Sequence, residues 1–253
     1  MIELRHLTKR FGDLIAVNDL CLEVRRGEFF ALLGPNAAGK TTTIKVVAGL
    51  MKPSAGSARV AGFDVHLQPL EARRRLAYVP DFPFLYEKLT PWEFFGFIGQ
   101  LFQMTPDQLE AAAQELVVRF SLEPYLHKPI EGLSHGTRQR VAIASALMHA
   151  PEVFVIDEPM VGLDPQHARV VKDILKERCR QGMTALVSTH QLGVAEEMAD
   201  RIGIMHQGRL VALGTWEELR CQSGESGPLE RTFLALTAQE TDPVEASALT
   251  GKP

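Results

Sequence analysis

The 253-residue sequence predicts an α/β fold: a parallel-sheet core built around a phosphate loop, an antiparallel β part at the N-terminus and an inserted α-helical subdomain. Three observations predict it. The stretch Gly34-Pro35-Asn36-Ala37-Ala38-Gly39-Lys40-Thr41-Thr42 fits G-x-x-x-x-G-K-[ST]. The apolar run Phe29–Leu33 precedes it and helix periodicity over Thr43–Leu50 follows, which makes a strand–loop–helix unit. A second apolar run, Val153–Ile156, ends on Asp157-Glu158-Pro159 and leads into alternating helix and strand signals, the rhythm of a parallel sheet.

The loop is an anion site before any side chain is counted. Backbone N–H groups of the loop and of the first helical turn converge without partners, and the positive end of the helix dipole lies behind them. Lys40 adds a point charge for the β- and γ-phosphates of a nucleotide, and the Thr41 hydroxyl is a ligand for Mg²⁺. Asp157 and Glu158 close an apolar strand, at the end where ligands of parallel sheets collect. Asp157 is expected to hold Mg²⁺ through water and Glu158 to polarise the attacking water.

Bulk composition narrows the class. Apolar residues make up 45% and charged residues 23% of the chain, ordinary for a globular protein. A net charge of −4 argues against a general nucleic-acid binder, which carries a basic footprint. Cys21, Cys179 and Cys221 are far apart, which points to a reducing compartment rather than a disulfide framework or a zinc site. The N-terminus lacks signal-peptide character, and no apolar run approaches the ~20 residues that span a bilayer. A soluble, cytoplasmic chain is expected, so that any transport channel belongs to another chain.

The remaining elements follow in order. Ile2–Leu7 and Leu20–Val24 read as strands, with Arg25-Arg26-Gly27-Glu28 as the turn into Phe29–Leu33. Lys52–Ser57 breaks the pattern, strand-like pieces follow at Ala58–Ala61 and Leu76–Val79, and Glu71–Arg75 is expected to be helical with its arginines solvated. Thr90-Pro91-Trp92-Glu93 carries an N-cap, a proline at N1 and an acidic first turn. Helices are predicted from there to about Met104, from Pro106 to about Phe120 and over Gly136–His149, an insertion of about residues 84–150 between two α/β halves. A helix over Pro165–Arg180, a strand at Thr184–Ser188, a helix from Gln191 and a hairpin of Ile202–Met205 with Leu210–Leu213 complete a domain of residues 1–220. Gln222–Pro228 reads as a flexible linker, Leu229–Leu236 as a short amphipathic helix, and the chain beyond Gln239 as a disordered tail.

The order of motifs carries a resemblance. Gly34–Thr42, then Leu133-Ser134-His135-Gly136-Thr137-Arg138-Gln139-Arg140, Val153–Pro159, Gly162-Leu163-Asp164 and Thr189-His190 together are similar to ATP-binding cassette (ABC) ATPase subunits, P-loop NTPases. The likeness covers roughly residues 2–220 and resembles most closely the stand-alone subunits of bacterial multidrug, antibiotic-resistance and other export-type transporters. It implies an ATP hydrolase that acts as a dimer around two ATP and Mg²⁺. It further implies a peripheral position on the cytoplasmic face of the membrane, where the dimer powers a separate integral membrane permease. The second ATP-binding subunit is expected to be an identical copy. A soluble ABC ATPase serving translation or DNA maintenance and a weakly active regulatory nucleotide-binding module are the other readings the residues leave open.

The same resemblance assigns roles. Ser134 and Gly136 stand where the signature motif reaches the γ-phosphate held by the other subunit, and a helix N-terminus there attracts a triphosphate. Asp164 lines the subunit interface, His190 is the switch histidine, Phe11 matches the ring stacked on adenine, and Asp81 occupies the place of a glutamine that senses Mg²⁺ or water. Four departures stand out: Ala37 for a loop glycine, His135 for the first signature glycine, Asp81 for glutamine, and Val161 for a polar interface residue. The aromatic block Trp92, Phe94, Phe95, Phe97 and Phe102 fits either a helix packed on both sides or a groove near Asp81–Phe84 for a coupling helix of the permease.

Overall fold

The computed structural model describes residues 1–224 and 229–238. Two sheets form its centre. The first is antiparallel, in the order β2-β1-β4-β5, from β1 (Ile2–Phe11), β2 (Leu14–Val24), β4 (Ala55–Val60) and β5 (Phe63–Asp64). The second has the order β10-β9-β3-β8-β7-β6, from β3 (Phe29–Leu33), β6 (Leu76–Val79), β7 (Val153–Asp157), β8 (Thr184–Thr189), β9 (Arg201–His206) and β10 (Arg209–Gly214). Its five strands from β9 to β6 run parallel, and only β10 returns antiparallel on β9. β3, β7 and β8 are buried along their whole length, which is why they read as unbroken apolar runs rather than alternating ones.

The sequence periods placed most elements within a few residues. α1 (Lys40–Val47), α2 (Pro69–Arg74), α6 (Pro165–Arg180) and α7 (Leu192–Met198) flank the sheets. β1 and β2 each run longer than their apolar stretches, because the hairpin pairing continues through Lys9↔Val17 to Phe11↔Leu14, where all but Val17 are partly or largely exposed. Ladder hydrogen bonds, not burial, hold that end. α3 (Pro91–Leu101) and α4 (Pro106–Arg119) start with capping boxes, Thr90 with Glu93 and Thr105 with Gln108. α5 (His135–Leu147) begins at the Ser134 N-cap.

The helices between β6 and β7 share a core with the sheet: Phe94, Phe95, Leu116 and Phe120 belong to one apolar cluster with Phe154, Ile156, Ala185 and Val187. Beyond β10 the expectation of a linker fails in part. Gln222 and Ser223 lie in α8 (Trp216–Ser223), started by Thr215 and Glu218 in a capping box whose T-x-x-E spacing the apolar pattern alone did not reveal. Glycines and serines downstream masked a helix that Leu219 anchors in the core of β9 and β10. α9 (Leu229–Ala238) buries Leu229, Thr232 and Leu236 at helical spacing. Residues 225–228 of the expected linker, and the tail beyond Gln239, lie outside the described residues. No helix among the described residues is long and apolar enough to cross a membrane.

Candidate functional site

The loop between β3 and α1 is a tight cradle. Gly39 is its N-cap at φ 101 and contributes no side-chain cap, and the first turn of α1 holds no acid, so α1 supplies no side chain of its own to cap the N–H groups at that end. Gly39 has to be glycine on two counts: its φ is left-handed, and a β-carbon would strike the Ala16 carbonyl of β2. Ala37 sits at φ 63, so this departure from glycine places a β-carbon in the left-handed region at about 1–2 kcal/mol. The cradle is braced from a distance: the Gly208 N–H donates to the Ala38 carbonyl at 3.1 Å, and the Asn18 N–H donates to the Gly208 carbonyl at 2.8 Å. Pro35, Asn36 and Ala38 complete the loop, and Ala38 N–H closes onto the Pro35 carbonyl.

Lys40 turns back over this cradle. Its Nζ donates to the carbonyls of Gly34 at 2.7 Å and Pro35 at 2.9 Å. Burial lowers its pKa, and the carboxylates of Glu158 and Asp157 oppose that shift, so the ammonium and both acids share one field. Thr41 Oγ1 donates to Asp157 Oδ2 at 2.9 Å, and Ser188 Oγ donates to the other oxygen of the same carboxylate. Asp157 therefore has both oxygens engaged at the C-terminal end of β7, with β8 as its neighbour. Thr42 follows in the first turn of α1.

Glu158 leaves the strand at φ 49, a left-handed conformation that swings its side chain across to β8. Its carboxylate accepts from the His190 N–H at 2.9 Å, lies 2.7 Å from His190 Nδ1 and accepts from Thr189 Oγ1 at 3.1 Å. Asp81, just past β6, is driven toward its neutral form by burial first and then by Asp157 and Glu158, against His135 and His190. Asp157 and Glu158 thus act on Asp81 through space. Thr189 is named in the sequence only as part of the Thr189-His190 motif, and neither its hydroxyl nor that of Ser188 is given a role there; their place directly before His190 was the available signal.

Other expected site residues lie apart from this array. Ser134 is the N-cap of α5, its oxygen accepting the Thr137 N–H at 3.3 Å, and it makes no hydrogen bond to residues 34–42. Gly136 abuts the turn after Glu158, where a β-carbon would come within 2.6 Å of the Gly162 carbonyl. The His135 ring lies on Gly162 and 6.4 Å from the Phe82 ring. Asp164 caps α6, accepting from the His167 N–H at 3.0 Å. Phe11, at the tip of the β1–β2 hairpin, is half exposed with Lys9 over its face at 5.1 Å. In α3, Phe94 and Phe95 are buried, whereas Trp92 and Phe97 are partly exposed, and Phe102 stacks on His149 at 3.6 Å. Phe84, Phe94, Ile98 and Phe102 line a groove of about 240 Å³ with Pro83 and Ala146.

Comparison with known proteins agrees with this geometry. Residues 17–161 match the family model described as ABC transporter. The linearmycin resistance ATP-binding protein of Bacillus subtilis is 34% identical over 236 residues, covering 93% of this chain and 76% of that protein. The solved structure of an ATP-binding subunit of an ABC transporter superposes with TM-score 0.90 at 34% identity, over 94% of this chain and 99% of that one. An ATP-binding cassette solved as a dimer in a post-hydrolysis state with ADP and Pi gives TM-score 0.78 at 26% identity, over 85% and 98%. A strand–loop–helix cradle, two acids at the neighbouring strand end and matches of this extent converge on one conclusion: the chain belongs to the ABC transporter family, as an ATP-binding, ATP-hydrolysing subunit.

Proposed function

We propose that two copies of this chain close around two ATP molecules and that their hydrolysis drives a separate membrane permease, for export. The observation that carries the reading is the hydrogen-bonded array joining α1, β7 and β8: Thr41 to Asp157, and Glu158 to Thr189 and His190. In this reading the free N–H groups of residues 34–42 and Lys40 hold the β- and γ-phosphates; nucleotide oxygens replace the Gly34 and Pro35 carbonyls at Nζ. Phe11 offers a ring face to the adenine.

The residues fit Mg²⁺. A hydroxyl and a carboxylate 2.9 Å apart are hard oxygen donors, and the charge of Asp157 and Glu158 that disfavours ionised Asp81 is one a divalent cation offsets. Thr41 and Asp157 would hold it, with Asp81 beside them. When bound, it neutralises charge on the phosphate oxygens. Glu158 orients and polarises the attacking water, and His190 fixes the carboxylate and faces the γ-phosphate. Ser134 and Gly136 open the N-terminus of α5 toward the nucleotide of the other copy, which accounts for their lack of bonds to their own loop.

The exposed Phe82 and Phe84 beside the groove that Pro83 and Ile98 line support a docking site for a short apolar helix of the permease on the cytoplasmic face. Solution scattering with ATP, alongside phosphate release, tests the central reading: a nucleotide-dependent dimer supports it, and monomers with undiminished activity overturn it. Co-purification with an integral membrane protein in detergent supports the permease assignment; a chain that never associates with one favours the soluble class of ABC ATPase.

A further inference from the structure

At the ends of β7 and β8 two neighbouring hydroxyls meet two neighbouring carboxylates. Asp157 pairs with Ser188 across the strands and accepts from its Oγ, and Thr189 Oγ1 donates to Glu158 Oε2 at 3.1 Å. The Thr189 hydroxyl has a second partner. It accepts the N–H of Gln191, the N-cap of α7, at 3.0 Å. With that donor seated on its oxygen and an acceptor-only carboxylate opposite, its one proton points at Glu158. The chain from N–H through hydroxyl to carboxylate is polarised in one direction. Thr189 is 2% exposed, so little water competes for the proton.

The two oxygens of Glu158 are used unequally. Each oxygen of an ionised carboxylate offers about two lone-pair directions. Oε1 fills both, with the His190 N–H at 2.9 Å and His190 Nδ1 at 2.7 Å, where the nitrogen carries the proton because the carboxylate only accepts. Oε2 has Thr189 alone among the described residues, so one of its directions is open. Where that direction faces depends on rotation about the last side-chain bond of Glu158, a broad torsion with little preference of its own. His190 holds one oxygen, and the Thr189 bond settles the place of the other.

We propose that Oε2 is the oxygen of Glu158 that receives the attacking water's proton, and that Thr189 is a positioning residue that aims it. The inference rests on the role proposed above for Glu158 and deepens it. As the water oxygen bonds the γ-phosphorus, the bond to the β,γ-bridging oxygen breaks and ADP keeps that electron pair. One water proton moves to the open lone pair of Oε2 and is later released to solvent.

The test is steady-state and single-turnover hydrolysis by the full-length chain carrying Thr189→Val, which keeps the branched shape and deletes the hydroxyl, beside Thr189→Ser, which keeps the hydroxyl. Thr189→Val is expected to lose roughly ten- to a hundredfold in kcat, the scale of one hydrogen bond to a charged group, with KM and ATP affinity unchanged. Thr189→Ser recovers most of that loss. Thr189→Ala, which cannot overpack a buried site, carries the same expectation as Thr189→Val and stands in for it if the valine chain does not fold. In Glu158→Gln, where no carboxylate is left to aim, Thr189→Val lowers the residual turnover no further. Unchanged kcat in Thr189→Val, an equal loss in the Glu158→Gln background, or equal losses in the valine and serine variants overturn the proposal and leave Glu158 in its role. Normal turnover of Glu158→Gln by itself overturns the Glu158 assignment instead.

Discussion

Glu158 Oε1 meets His190 twice, at 2.9 Å from the backbone N–H and 2.7 Å from Nδ1, so one carboxylate oxygen ties the end of β7 to the end of β8. Replacing Glu158 with glutamine keeps the volume and much of this pairing while removing the charge. Glu158→Gln is expected to bind ATP, to lose roughly 10²–10⁴-fold in turnover and to accumulate as a trapped dimer. Single-turnover phosphate release and size-exclusion chromatography with ATP check it; normal release would take Glu158 out of the role.

Lys40 supplies the cation of the cradle. Lys40→Ala is expected to weaken ATP binding by at least about tenfold, since a charge-assisted contact is worth roughly 1.5–3 kcal/mol. Titration with a fluorescent ATP analogue reads the affinity directly, and an unchanged value would contradict the phosphate-loop assignment.

Ala37 sits at φ 63, where glycine is at ease. Ala37→Gly relieves about 1–2 kcal/mol of native strain and returns about 0.4–1 kcal/mol to the flexibility of the unfolded chain. A gain in stability of up to about 1.5 kcal/mol is expected in chemical denaturation, without loss of ATPase activity.

His149 gives the chain an acid-sensitive joint. Burial lowers its pKa from 6.5 to about 4, because the ring stacks on Phe102 inside the helical layer. The unfolded chain therefore binds the extra proton between those two values. Stability from this group is complete above about pH 6.5 and falls by about 3 kcal/mol as the pH drops toward 4. His149→Phe keeps a ring beside Phe102, and its Tm between pH 7.5 and 5 should fall less steeply than that of the parent; equal slopes would remove His149 as the cause.

His135 and Gly162 occupy each other's space. A β-carbon at Gly162, already at φ 75, would overlap the His135 ring. Gly162→Ala is expected to destabilise the protein by roughly 1–3 kcal/mol. His135→Gly, which clears the ring, should recover part of that loss in a double-mutant cycle read by denaturant midpoints.

Much of this is legible in the sequence alone. Phe29–Leu33, Val153–Ile156 and Thr184–Ser188 are apolar because both faces of a parallel sheet are covered, and their polar ends announced Lys40, Asp157, Glu158 and His190. The exposed half of the β1–β2 hairpin was not legible, since pairing rather than burial maintains it. α8 was missed because a capping box is only four residues long and glycines follow it closely. The joining of Glu158 to Thr189 and His190 depends on a left-handed residue and a strand order, neither of which composition encodes.

Gly208 braces Ala38 and Asn18, and β3 lies between β8 and β9, so a cradle written at residue 34 leans on chain made some 170 residues later. During synthesis at 5–20 residues per second the nascent strand waits roughly ten to thirty-five seconds for its neighbours. Through that interval an apolar segment has no sheet to join, and on the ribosome it is a natural client for a chaperone.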